Sequence, residues 1–410
     1  MRPRLRFWVV ADDLTGSLDT AAPFAMHGWR TCVVPWPGRA PRAIGMALRQ
    51  AAASHDVVVL DTASRHVAAR EAARRVRAVV VAARALDTGR PVRHFYKKID
   101  STLRGNVAAE LAAFRAAVPI DRLPLAPAFP AHGRTTRGGA VWVDGRPLGQ
   151  SAAARDALDP AGSGDLRRLA PREALEILDA DTDAHLRRIA TRLGEEGRLG
   201  AVAGSGGLAG AIAARFGSRR QPASPRLGAG GVLVVCGSAH PMAQAQAQAL
   251  VADGALGLVV PVDAGAPARD RRATETLAID ALSRGRTVVL VCPALAPGAR
   301  VAARRAAAVA ARLADMARAV VTAGATGAVF TVGGDTTAAL VAAMGWAPLA
   351  VDGALVPGVA VVRVRARKTG VGGPRWLVTK SGAFGDPQTL CRLIRRLISP
   401  PRPGRPSKLR

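Results

Sequence analysis

Three short apolar runs, each ending in a burst of polar residues, constrain this chain more than any other feature. Phe7–Ala11 runs into Asp12-Asp13-Leu14-Thr15-Gly16, and Val57–Leu60 into Asp61-Thr62-Ala63-Ser64-Arg65. Val92–Tyr96 runs into Lys97-Lys98-Ile99-Asp100-Ser101-Thr102-Leu103-Arg104-Gly105-Asn106. Short continuous apolar runs read as strands buried on both faces, the pattern of parallel sheets covered by helices. Open sheets of that kind bind ligands beyond the carboxyl ends of their strands. The spacing therefore predicts an α/β fold in which Asp12, Asp13, Ser64, Arg65 and Lys97–Arg104 converge on one sheet edge.

The third burst is the densest. Charges and hydroxyls at such density sit in water or bind something. The chain has five lysines, Lys97, Lys98, Lys368, Lys380 and Lys408, among 58 basic residues. A bias that turns surface positions into arginine leaves lysine where a compact, swivelling ammonium is needed, which points to an anionic ligand. Asp12-Asp13 has two readings: a plain helix cap with Asp19 a surface acid, or a cap beside a carboxylate that accepts substrate hydroxyls or holds Mg²⁺ through water.

At 410 residues two domains are expected. Helices are read at Thr20–His27, Ala68–Arg84 and Val107–Ala117, strands at Thr31–Val34 and Leu199–Ala203, and a hairpin around Asp144-Gly145. Gly217–Gly231 is the linker candidate, giving a first domain over 1–220, a second over 221–398 and a basic disordered tail over 399–410. Each domain is a mainly parallel sheet flanked by helices, with the ligand cleft expected between them and closing around the substrates. In the second, Val232–Val235, Leu258–Val262, Thr287–Val291, Ala328–Val332 and Trp376–Thr379 read as strands. Polar glycine turns follow three of these: Gly237-Ser238, Gly333-Gly334-Asp335-Thr336 and Lys380-Ser381-Gly382. Such turns let backbone N–H groups reach a phosphate at a helix start.

The net charge of +28 favours nucleic acid at first sight. The arginines are scattered over Ala-rich helical stretches, however, and aromatic residues make up 4% of the chain, too few for base-stacking platforms. Cys32, Cys236, Cys292 and Cys391 form no C-x-x-C pair and read as reduced thiols of a cytoplasmic protein. The apolar run at the N-terminus meets Asp12 too early for a signal peptide, and no span of a membrane-crossing length is present. Seven histidines show no metal spacing, so no residue is assigned to a metal. Gly204-x-Gly206-x-x-Ala209 matches a dinucleotide fingerprint, which keeps an NADP-dependent oxidoreductase as an alternative beside a nucleic-acid-binding protein.

Taken together, Ala-Asp-Asp-Leu-Thr-Gly-Ser-Leu-Asp (11–19), Lys-Lys-Ile-Asp-Ser-Thr-Leu-Arg-Gly-Asn (97–106), Ala-Pro-Ala-Phe-Pro-x-x-Gly-Arg (126–134), Gly-Ser-Gly-Gly-Leu-Ala (204–209), Gly-Ser-Ala-His-Pro (237–241), Gly-Gly-Asp-Thr (333–336) and Lys-Ser-Gly-Ala-Phe-Gly (380–385) resemble the four-carbon acid sugar kinase family. The resemblance spans about residues 7–398 in order. It implies an ATP- and Mg²⁺-dependent kinase phosphorylating the 4-hydroxyl of a D-threonate- or D-erythronate-type acid. Substrate contacts would be Asp12, Arg65, Lys98, Asp100, Ser101 and Arg104, with Lys98 and Arg65 clamping the carboxylate and Asp100 or Asp12 taking the proton. Nucleotide contacts would be Ser238, Gly333, Gly334, Asp335, Thr336 and Gly382. Some family members, those resembling 3-oxo-tetronate kinases, carry a Cys-Ser-Thr-Phe-Asp-Ser-Thr version of the second motif. The Lys-Ile-Asp-Ser wording here sides with the reduced acids, and the 3-oxo acid is the alternative. A homo-oligomer is left open, and neither membrane nor nucleic-acid partners are expected.

Overall fold

All five residues of Phe7–Ala11 are buried, as a strand covered on both faces requires. The computed structural model describes residues 7–38, 40–86, 94–155, 163–171, 173–218, 231–260, 268–292, 303–324, 326–364, 376–382 and 384–398. In chain order the elements are β1 (Phe7–Ala11), α1 (Leu14–Met26), β2 (Thr31–Val34), α2 (Pro41–Ser54), β3 (Val57–Asp61), α3 (Ala69–Arg84), β4 (His94–Lys98), α4 (Val107–Ala117), β5 (Leu123–Ala126), β6 (Arg134–Arg137), β7 (Ala140–Val143), β8 (Arg146–Pro147), β9 (Leu175–Ile177), α5 (Asp183–Glu195), β10 (Ala201–Gly204) and α6 (Gly206–Phe216). There follow β11 (Gly231–Cys236), α7 (Pro241–Ala252), β12 (Leu256–Val259), α8 (Ala268–Ser283), β13 (Val288–Val291), α9 (Ala303–Thr322), β14 (Thr326–Val332), α10 (Gly334–Met344), β15 (Leu349–Val356), β16 (Val359–Arg363), β17 (Trp376–Lys380) and α11 (Thr389–Ile398).

Two compact units result: Met1–Pro222 with Trp346–Val362, and Ala223–Gly345 with Arg363–Arg410. In the first the strand order is β16-β15-β2-β3-β1-β4-β10-β5-β9, parallel from β2 to β9. Successive side chains of a strand face opposite sides. Trp8 and Val10 join the core with Ile44, Leu48, Val76, Leu111 and Phe114 of α2, α3 and α4. Phe7 faces the other way, its ring 5.4 Å from that of Phe24 on α1. Helices therefore cover both faces. The order in which strands are added reverses between β1 and β4, the switch point at which such sheets hold ligands.

The sequence reading places all of 221–398 in one domain, whereas Trp346–Val362 lies in the first unit. Its strand β15 runs antiparallel to β2, Leu349 opposite Val33, and so covers backbone groups that an edge strand would expose. Alternating burial along Leu349–Val356 marks a strand with one covered face.

The second unit orders its strands β12-β13-β11-β14-β17, all parallel. Within it α9 packs against α8 and α10, and α7 against α11. The hairpin expected at Asp144-Gly145 is present, both residues at positive φ (49° and 77°), as a tight two-residue hairpin turn demands. It joins β7 to β8 in a small sheet with β6. Several elements extend a residue or more beyond their sequence-predicted bounds, and two of these extensions shape the first site. α1 begins at Leu14 because the Asp13 side chain accepts the Gly16 N–H at 3.0 Å and caps it. β4 continues through Lys98, so both lysines are strand residues. Most of the linker stretch and the tail lie outside the described residues. The four cysteines are buried and free. Among the described residues no helix is long and apolar enough to cross a membrane.

Candidate active site

Strand register assembles the first site. Ala11 pairs with Asp61 and Val10 with Lys97, so the chain leaves β1, β3 and β4 side by side at their carboxyl ends. Asp12, Arg65, Lys98 and Asp100 meet there, as the sequence predicts.

Arg65 is the hub. Its Nε donates to Asp12 Oδ2 at 2.7 Å, and its two terminal nitrogens donate to Asp13 at 3.0 and 2.8 Å. The second of these also lies 3.7 Å from Asp100 Oδ1. Arg104 grips Asp100 in a fork, at 3.1 Å from Nε and 2.9 Å from Nη2. Thr102 adds its backbone N–H at 3.0 Å and its hydroxyl at 2.5 Å to Asp100 Oδ2. Burial alone would raise the Asp100 carboxyl; Arg104 and Arg65 overcome it and hold it well below the ordinary carboxylate value. Asn106 fixes the Arg65 loop from α4, donating to Ser64 O at 3.0 Å and Val67 O at 2.8 Å. Gly105, at φ 84°, passes where a Cβ would come within 3.3 Å of both Arg65 Cγ and Asp12 Oδ2, so the close turn requires glycine.

The two adjacent lysines part company. Lys97 shares a face with Phe95 and reaches α4, where its Nζ lies 2.8 Å from Glu110 Oε2. Glu110 Oε1 accepts from Ser64 Oγ at 2.5 Å, and Ser64 Oγ lies 2.6 Å from Thr62 Oγ1. Lys97 Nζ also donates to Lys98 O at 2.7 Å. With 0% and 1% of their surfaces exposed, Lys97 and Glu110 form an interior ion pair and leave Lys97 no charge for a ligand. Lys98 points to the α1 face, where a side chain at Gly16 would come within 2.8 Å of its Nζ. Its charge acts on Asp12, Asp13, Asp19 and Asp100.

Asp12 Oδ1 is buried and has no hydrogen-bond partner. Burial would raise this carboxyl, but Arg65, Lys97 and Lys98 hold it below its ordinary value. An ionised oxygen in that state is costly unless something donates to it. Ser101, half-buried, follows Asp100 in the same turn. Asp19, one turn along α1 from Gly16, is not the surface acid that the sequence suggests. It is half-buried, and burial raises its carboxyl to about 7 against the pull of Lys98.

The second site is built from backbone. Ser238 Oγ accepts from His240 N at 3.2 Å, and Gln244 Nε2 donates to Ser238 O at 2.7 Å. A Cβ at Gly333, whose φ is 111°, would sit 3.3 Å from Ser238 Cβ and 3.4 Å from Thr336 Oγ1. A Cβ at Gly237 would strike Thr336 Oγ1, and one at Gly382 would strike Ser238 Oγ. Gly333 N donates to Lys380 O at 3.0 Å. The three turns thus come together as expected. Gly334 opens α10, with Asp335 exposed in its first turn. Lys380 is buried, donates to Ser381 O at 2.6 Å and lies 5.9 Å from the Phe384 ring centroid.

Comparison with known proteins finds two domain matches along this chain, the second including the Trp346–Val362 segment that folds with the first unit. A sugar-binding N-terminal domain matches residues 7–176 and a nucleotide-binding C-terminal domain matches 233–390. A D-threonate kinase of Bordetella bronchiseptica is 35% identical over 407 residues, covering 94% of this chain and 95% of that protein. The chain belongs to the four-carbon acid sugar kinase family. A 3-oxo-tetronate kinase of Methylobacterium radiotolerans is 29% identical over 92% of this chain and 95% of its own length. A solved structure from Salmonella typhimurium LT2 has the same fold, with a TM-score of 0.74 at 21% identity over 95% of this chain and 99% of that one.

For a member of this family, the dinucleotide-like Gly204–Ala209 turn has a packing role. A Cβ at Gly204 would come 2.6 Å from Ala126 O, and one at Gly207 2.6 Å from Ala128 O. The Ala126–Phe129 backbone thus occupies the approach that a pyrophosphate would need. Ser205 caps α6 and donates to Ala128 O at 2.7 Å. Two residues beyond the sequence-predicted set also lie within the field of the first site: Asp19, and Arg134, on which the Asp144, Asp100 and Arg104 charges act. Asp19 lies in the first quoted motif and Arg134 ends the third. Motif membership was their signal; neither touches a strand end in sequence.

Proposed function

We propose that the chain transfers the γ-phosphoryl group of ATP to the 4-hydroxyl of a reduced four-carbon sugar acid of the D-threonate or D-erythronate type. The observation that carries the reading is Asp12 Oδ1, an ionised, buried acceptor with no donor, beside the Lys98 cation. Hydroxyls for the first and an anion for the second are what a polyhydroxy acid supplies. Arg65 and Arg104 act as scaffold, their forks holding Asp12, Asp13 and Asp100 in place. Asp100 accepts from Thr102 and Arg104 along both oxygens. Asp12, with one oxygen open, is therefore the better placed group to receive the acceptor proton. In phosphoryl transfer positioning outweighs base strength, so a carboxyl held low serves.

ATP phosphates suit the Gly237, Gly333 and Gly382 turns, where small residues let N–H groups approach. Among the described residues no three His, Cys, Asp or Glu side chains group to hold a metal. Mg²⁺ fits as an ion brought by the nucleotide phosphates with its own waters, Asp335 at the start of α10 being the carboxylate at hand. Bound, it would neutralise charge on the transferring group. ATP as donor and four buried free thiols suit the cytoplasm.

The test is ADP release with MgATP over D-threonate, D-erythronate and their 3-oxo counterparts. Turnover highest with a reduced acid is expected. Absence of turnover with every acid, in protein shown to be folded, defeats the proposal, and preference for a 3-oxo acid defeats its finer part.

A further inference from the structure

Counting ion pairs shows which cations of the first unit have a counter-charge in hand. Arg65 is bound to Asp12 and Asp13, Arg104 to Asp100, and Lys97 to Glu110. Lys98 sits among the charges of Asp12, Asp13, Asp19 and Asp100. Arg134 differs from all of these. It makes no ion pair among the described residues, its buried Nε has no hydrogen-bond partner, and its Nη1 donates to the uncharged His132 carbonyl.

Its position is fixed by the backbone. Phe129 N donates to Arg134 O at 2.8 Å, and Arg134 N returns to Phe129 O at 3.1 Å. Inside this closed loop lies a short turn, Pro130–His132, completed by Gly133 at φ 70°. The Phe129 and His132 rings stack at 4.1 Å. Phe129 also packs on the start of α6, where a Cβ at Gly206 would meet its ring at 3.0 Å. Arg134 is therefore presented from a rigid loop, half-buried, within the field of Asp144, Asp100 and Arg104. Burial pulls the guanidinium below its ordinary value by more than the Asp144 and Asp100 charges restore.

We propose that Arg134 binds the carboxylate of the acceptor and is the residue that selects sugar acids over neutral polyols. A guanidinium edge with an open Nε–H matches a carboxylate in two-point fashion. The assignment rests on the kinase reading, and it makes Arg134 a second cation for the carboxylate beside Lys98.

The experiment compares the wild type with Arg134→Met and Arg134→Lys, using D-threonate and the neutral tetritol erythritol as acceptors. Loss of a charge-assisted pair predicts a rise of about 100-fold in KM for D-threonate in Arg134→Met. Preference for the acid over erythritol should fall by a similar factor, with KM for ATP unchanged. Arg134→Lys, which keeps the charge but not the fork, should recover part of the preference, and it carries the test if the Met variant does not fold. An unchanged preference overturns the proposal. So does a rise in KM for ATP or an equal loss with both acceptors, which would place Arg134 on the phosphoryl group. If the wild type turns over no acid, the kinase reading fails separately. Arg134 is then tested by calorimetric binding of D-threonate, where equal affinity in wild type and Arg134→Met overturns it.

Discussion

The two units solve recognition with different materials. In the first, three carboxylates and two arginines interlock, each held by the next, with α1 capped by one member of the set. In the second, glycines and small hydroxyls crowd together, and the proposed phosphate donors are backbone N–H groups. Charged side chains can count hydroxyls and carboxylates on a small acid, a task that needs fixed geometry and opposite charges. A phosphate chain offers only repeated oxygens, which N–H groups at helix starts satisfy without side-chain chemistry. The first design is sensitive to losing an atom, the second to gaining one.

That contrast is open to direct attack. Asp12→Asn removes the open acceptor and leaves the Arg65 guanidinium short of a counter-charge. We expect kcat/KM for the acid to fall by about 10³-fold or more, about 4 kcal/mol, with ATP affinity kept; steady-state kinetics on both substrates decide, and a loss under tenfold would contradict the site as drawn. Lys97→Met should act on stability instead. It strands Glu110 in the interior, at a cost of about 3–5 kcal/mol read from chemical denaturation, while Lys97→Met with Glu110→Leu should recover most of it. Lys98→Met, next door, should weaken acid binding and leave the denaturation midpoint nearly unmoved. Gly382→Ala puts a methyl against Ser238 Oγ. Overpacking of about 1–3 kcal/mol predicts ATP binding weaker by about 10- to 100-fold, visible by nucleotide titration, with acid affinity unaltered.

The smallest effect is on pH. The Asp19 carboxyl is raised from 3.8 to about 7 by burial, so between those values the folded state binds a proton that the unfolded chain releases. Stability from this group is present below pH 3.8 and is lost as pH rises towards 7. Asp61, also raised to about 7 by burial, adds the same slope, whereas Asp100, held low against burial by Arg104 and Arg65, works in the opposite sense in acid. Asp19→Asn should therefore stabilise the protein more at pH 8 than at pH 5. Urea midpoints at the two pH values check this, and an equal gain at both would refute the assignment.

Much of the scaffold could be read in the chain. Apolar runs such as Phe7–Ala11 need only local composition to declare a buried strand, and polar bursts at their ends follow from the parallel topology. The Asp-Gly hairpin and the Asp13 cap are local chemistry too. What sequence could not show was tertiary. Leu349–Val356 is a strand in either unit, and only its pairing with β2 assigns it. Lys97 and Lys98 are indistinguishable as letters. Arg134 becomes notable only when the ion pairs of Arg65 and Arg104 are known, and Asp19 only when its surroundings are seen to be aspartates and Lys98.

The division of labour between Lys97 and Lys98 has a consequence for any attempt to re-engineer the chain. One lysine holds the interior and the other serves the site solely because a pleated strand sends neighbours to opposite sides. A single-residue deletion within His94–Tyr96 that shifted β4 against β1 would exchange them, aiming the ligand-facing ammonium at Glu110 and carrying the frame of Asp100 with it. Substitutions along β4 are thus separable, but insertions and deletions are not: the site inherits its handedness from a ladder of backbone hydrogen bonds that contains none of its functional groups.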